Sequence, residues 1–195
     1  MTPNQAYKLG ADLTGWYDGL QSTARIVAGK HATLFLAFLA STSPQRKVYD
    51  NVQLAFRALE QHKAGESWRG FMGKCHTDNL ARAQLGLPLR GPKVKAFYQN
   101  ILGDPNHVTV DRWIARLYGR DKDKSGMVSP VDVRYLTKRI QREARHKGIT
   151  PRQYQAALWS GIKRASGLLP GETLEPLRET IMRVHHQRMA QTNLF

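Results

Sequence analysis

The sequence predicts an all-α fold. Alternating β-branched runs are nearly absent, apolar residues recur at three-to-four spacing, and helix-start signals punctuate the chain. Asn4 to about Ala28 reads as a first helical region interrupted by Gly10, Gly15 and Gly19, and the apolar run after His31 as a buried helix. Ser41-Thr42-Ser43-Pro44 stops that helix. The next is expected to begin at Pro44 and to carry Val48, Val52, Ala55, Phe56 and Leu59 on one face. Lys63 to Thr77, with Gly65, Gly70 and Gly73, reads as a long loop and the expected boundary between two closely packed helical lobes of one compact 195-residue body. Short helices are expected at Asp78–Gly86, Pro92–Leu102 and Thr109 to about Tyr118, longer ones at Pro130–Lys147 and Pro151–Ala165, and a last at Glu172 to about Ala190. A Thr150-x-x-Gln153 capping box opens the helix at Pro151.

Thirty Lys and Arg against fifteen Asp and Glu give a net charge of +15. Such a field attracts polyanions, and nucleic acid is the expected partner because phosphate neutralisation releases condensed counterions. The longest apolar run, Ala32 to Ala40, is half of what a membrane span needs. No membrane partner is expected. The start Met1-Thr2-Pro3-Asn4 lacks the pattern of a signal peptide, so the expected location is the cytoplasm or nucleoid. One cysteine, Cys75, excludes an internal disulfide, a cysteine-rich zinc site and a four-cysteine cluster, and no cofactor is expected. His185 and His186 are adjacent and diverge on a helix, which makes them a poor metal pair.

Two segments carry the chemistry. Leu87-Pro88-Leu89-Arg90-Gly91-Pro92-Lys93 is a tight turn leading into a helix, a geometry that aims backbone amides at a phosphate. Val108-Thr109-Val110-Asp111-Arg112-Trp113 places a carboxylate where a helix begins, and Asp111 there is either a plain cap or a reactive group. Lys93 is likewise either a phosphate contact or an active-site amine. Arg134, Lys138, Arg142 and Arg145 share one face of a helix whose other face holds Val133, Leu136, Ile140 and Ala144, the pattern of a backbone-tracking surface or of a merely solvated one. Asp121 to Asp132 matches a calcium-loop template at Asp121, Asp123 and Ser125 but has Asp132 in place of the bidentate Glu, against the simpler reading of a polar interhelical loop.

Together the two segments resemble the helix-hairpin-helix DNA glycosylases, whose lysine-bearing branch has the hairpin Leu-Pro-Gly-x-Gly-x-Lys and a catalytic helix opening Val-Asp-x-His. Leu87, Pro88, Gly91 and Lys93 fall on the first pattern and Val110 and Asp111 on the second, with Lys93 preceding Asp111 by eighteen residues. The turn Ser43-Pro44-Gln45 and the helix Gln155-Ala156-Ala157-Leu158-Trp159 are also similar to those of small phage-encoded relatives, some of which serve thymine hypermodification; a phage origin would put the protein in the host cytoplasm. Leu89 stands where the hairpin's first glycine is expected, and Trp113 replaces the histidine. The resemblance implies excision of a flipped base from DNA, with Asp111 stabilising the cationic sugar and Lys93 attacking C1′ to give a Schiff base. It implies DNA contacts at Leu89, Arg90, Gly91, Lys95 and Arg112, joined by the basic face at Arg134, Lys138 and Arg142, and a wedge or base pocket at Thr42, Gln45 and Trp113. Two rivals remain: a helix-hairpin-helix nucleic-acid binder without chemistry, and a calcium-responsive helical interaction protein.

Overall fold

A computed structural model describes residues 1–121, 128–167 and 174–192. Among these residues the structure is all-helical, with no strand. The helices are α1 (Pro3–Gly10), α2 (Leu20–Ala28), α3 (Ala32–Ser41), α4 (Val48–Lys63), α5 (Gly73–Gln84), α6 (Pro92–Ile101), α7 (Arg112–Leu117), α8 (Pro130–His146), α9 (Pro151–Ala165) and α10 (Leu177–Thr192). None is long and apolar enough to cross a membrane.

The first expected helical region divides into α1, a single 3-10 turn at Ala11–Leu13, and α2, which starts after Gly19 in a left-handed conformation. α3 is the central element. Its residues from Phe35 to Ser41 are buried, and it packs against α2, α4, α5 and α6. Each large apolar side chain so buried contributes about 1.5–3 kcal/mol before conformational entropy is charged against it. α3 ends where three successive hydroxyls turn back on its carbonyls: Ser41 Oγ donates to Ala37 O, Thr42 Oγ1 to Phe38 O and Ser43 Oγ to Ala40 O.

α4 begins at Val48, four residues later than the sequence predicts from Pro44. The reason is local. The Ser43 and Pro44 carbonyls are engaged by the side chains of Lys93 and His76 instead of helical amides, and Gln45 adopts φ +56, outside any right-handed helix. α5 begins at Gly73 rather than Asp78, so Cys75 and His76 are helical and not loop residues. α4 and α5, on either side of the expected lobe boundary, both pack on α3. α7 is shorter than expected because Val108 and Val110 point into the core in the segment before it. α10 starts at Leu177, since Pro176 cannot sit inside a regular helix, and its first amide donates to Trp16 O.

Two hydrophobic cores result. The first is built by α2 to α6 and α10, around Phe35, Phe38, Leu39, Phe56 and Ile101. The second is built by α1, the segment 108–115, α8 and α9, around Ala6, Ile114, Leu136, Ile140 and Leu158. Trp159 packs against both. The tightest helix crossing is α1 on α9, where a Cβ on Gly161 would fall 1.9 Å from Ala6 O and one on Gly10 would fall 2.1 Å from Ala157 O.

Candidate functional site

The hairpin between α5 and α6 is held from beneath. Asn79 on α5 clamps Arg90, accepting from its amide at 2.6 Å and donating to its carbonyl at 3.2 Å, while Arg82 Nε donates to Pro88 O at 2.6 Å. Leu89 is 4% exposed and fills the first core, so it is no DNA contact; it anchors the turn, and its side chain leaves the outer surface clear. The Arg90 amide is already bonded and does not point outward. Gly91 (φ +89) precedes α6, no side chain caps that helix, and Arg90, Gly91 and Lys95 are exposed.

From the first turn of α6, Lys93 is half-buried and reaches back across the α3–α4 turn, where its Nζ donates to Ser43 O at 3.2 Å. Burial pushes this ammonium below the ordinary lysine range, and the nearby Asp111 carboxylate pulls the other way. The Asp111 carboxylate is thus near enough to act on the Lys93 charge, although among the described residues no ion pair joins them. Asp111 caps α7: its Oδ1 accepts from Ile114 N at 2.9 Å, and its Oδ2 accepts from Trp159 Nε1 at 3.2 Å. Two residues upstream, Thr109 Oγ1 accepts from Asn100 Nδ2 at 3.0 Å, which ties the segment leading to Asp111 to the helix that carries Lys93. Tyr17, buried nearby and donating to Gln155 Oε1 at 2.8 Å, is pushed up to about 12 by burial.

His76 on α5 holds the same α3–α4 turn as Lys93. Its Nδ1 accepts from Met72 N, so Nε2 carries the proton that is donated to Pro44 O at 3.1 Å. Burial lowers its pKa, opposed by that hydrogen bond and helped by Arg46 and Lys93. The turn that the two side chains hold ends in Gln45, which is exposed and is the one non-glycine residue at positive φ among those described. Thr42, expected beside it as a wedge, is 0% exposed; its hydroxyl joins α3 to α4 by donating to Asn51 Oδ1 at 2.7 Å, so it cannot face a ligand. Trp113 is half-buried, with Lys163 Nζ 4.9 Å and the Arg116 guanidinium 5.6 Å from its ring centre. Trp16 and Tyr17 belong to the core and offer no stacking surface.

On the segments that carry these groups Arg46, Lys47, Lys74, Arg90, Lys95 and Arg112 are all exposed. His76 was hidden from the sequence reading by the glycines around it, although His76, Asn79, Leu80 and Ala83 trace one helical face. Trp159 was visible within Gln155-Ala156-Ala157-Leu158-Trp159, but nothing in that spacing names Asp111 as its partner.

The expected calcium ligands are otherwise engaged. Asp121 pairs with Arg116, and Asp132 with Arg120 at 3.3 Å. Asp123 and Ser125 lie outside the described residues. Among those described, no group of three His, Cys, Asp or Glu could hold a metal ion.

A protein family described as "Family of unknown function (DUF7178)" matches residues 7–166. No curated protein and no solved structure matches the chain.

Proposed function

The chain belongs to this family of unknown function, and from its own residues we propose that it is a helix-hairpin-helix glycosylase-like enzyme acting on a base flipped out of DNA. The observation that carries the reading is a desolvated amine, Lys93, held on Ser43 O with the Asp111 carboxylate near enough to act on its charge, in a chain that exposes Arg90, Lys95 and Arg112 on the flanking segments. Lowering the lysine pKa raises the share of free amine, the form that attacks carbon. Attack of Nζ on C1′ forms a C–N bond as the glycosidic bond breaks; the base departs with that electron pair and takes up a proton. The amine then loses its own proton, and the sugar ring opens to a Schiff base. Asp111 stabilises the positive charge that develops on the sugar. In this reading the exposed Gln45 fills the gap left by an extruded base.

A second reading, a hairpin DNA binder without chemistry, is favoured by the bonds these groups already make: Lys93 to Ser43 O, and both Asp111 oxygens to Ile114 and Trp159. Borohydride trapping on duplex DNA containing an abasic site separates the two. Hydride reduces the imine to a stable amine, so the enzyme reading expects a covalent adduct with the wild type and at least a hundredfold less with Lys93→Ala. Absence of adduct from a folded wild-type protein that binds the same duplex would overturn the lysine chemistry.

A further inference from the structure

α8 packs in the second core and carries none of the residues that bond to Lys93 or Asp111. Its two acidic residues are drawn to one flank. Asp132 is taken by Arg120 and Ser129, and Glu143 by Arg139, Tyr118 and Tyr154. Its remaining cations are distributed differently. Arg134, Lys138, Arg142 and Arg145 are all exposed, and none has a side-chain or carbonyl partner among the described residues. At 3.6 residues per turn the four fall within an arc of about 80°, opposite the buried Leu136, Ile140 and Ala144. Successive charges along the ridge are about 6 Å apart over the first two steps, and the whole row spans about 16 Å. Two rises of a single DNA strand measure about 7 Å. A ridge of outward cations at this interval, cleared of its own carboxylates, is complementary to a run of backbone phosphates.

We propose that the outer ridge of α8 is a second, sequence-independent contact for duplex DNA, in which Arg134, Lys138, Arg142 and Arg145 neutralise backbone phosphates apart from those at the hairpin. The inference rests on DNA being the ligand, as proposed above, and not on any chemistry at Lys93. Two contacts on one protein add their counterion release, so the ridge holds it on DNA whatever base faces Lys93.

The test is the salt dependence of binding to an undamaged 25-base-pair duplex, read by fluorescence anisotropy between 50 and 200 mM salt. Each phosphate contact contributes about 0.9 to the slope of log affinity against log salt. Replacing all four residues by Gln is expected to flatten the slope by about 2 to 4 and to weaken binding at least tenfold at 100 mM. The paired variants Arg134→Gln/Lys138→Gln and Arg142→Gln/Arg145→Gln should each give about half the change, which guards against a fold lost in the fourfold variant. Lys93→Ala should leave the slope within about one contact of the wild type. Unchanged slope and affinity in all three ridge variants would overturn the proposal, as would equal binding of the wild type to anionic vesicles, or no binding of the wild type to the duplex at all. A ridge-dependent slope in a protein that forms no borohydride adduct would sustain the ridge and sink only the lysine chemistry.

Discussion

Neutral His76 accepts from Met72 N at Nδ1 and donates to the Pro44 carbonyl from Nε2; protonation keeps the Pro44 bond and removes the Nδ1 acceptor. Burial keeps its folded pKa below the 6.5 of an unhindered imidazole, so as acid is added the unfolded chain takes up a proton first. Stability is therefore fully present above pH 6.5 and falls as pH drops from there toward the folded pKa, where the loss levels off. Urea midpoints at pH 7.5 and 5.0 should show this decline, and His76→Gln should flatten the part that belongs to this residue. His185, also lowered by burial, leaves a remainder. An unchanged pH dependence in the variant would show that His76 titrates alike in both states. The same turn carries the exposed Gln45 at φ +56, directly after the Pro44 carbonyl that His76 holds.

Helix existence was legible where the sequence carries its own punctuation. Pro92, Pro130 and Pro151 each sit at a first helical position, and Ser129 and Thr150 cap as expected. Asp111 too could be placed at a helix start from its sequence neighbours, and it does cap α7. What failed were assignments that depend on which way a side chain faces. Thr42 and Leu89 look exposed in a list of turn residues, yet one bonds into α4 and the other fills a core, because contacts from distant elements decide their orientation. Glycines misled in the same way. Gly10 read as an interruption, and at Gly161 the helix was expected without any stated role for the glycine; together they let α1 and α9 touch backbone to backbone. Gly161→Ala should cost about 3 kcal/mol, because its methyl has no flexible neighbour to displace, only the Ala6 carbonyl. Gly10→Ala should cost a similar amount, and the double variant less than the sum, since one forced separation of the helices relieves both clashes. Thermal melts showing less than 0.5 kcal/mol for either single variant, on the order of an ordinary surface change, would mean that the two helices do not approach this closely.

At the scale of the whole molecule, two cores meet, and Trp159 is the side chain they share. Its ring packs 5.3 Å from Trp16 in the first core, while its Nε1 donates to Asp111 at the edge of the second. Motion of one core against the other must therefore move the Asp111 carboxylate relative to Lys93, which is carried by α6 in the first. Trp159→Phe keeps an aromatic ring between the cores and removes only the donor, so it should cost about 1 kcal/mol in urea unfolding. Trp159→Ala removes the shared packing as well and should cost about 3 kcal/mol, the low end for a large aromatic because the side chain is only half-buried. The decisive readout is cooperativity. Amide exchange in α3 and in α9 should report the same opening free energy in the wild type, and distinct values in the alanine variant, with α9 opening first because its core is the smaller. Equal protection of both helices in the alanine variant would show that the α1–α9 crossing and the rest of the interface hold the cores together without Trp159. In that case the position of Asp111 relative to Lys93 would depend on the Asn100–Thr109 bond between α6 and the segment before α7.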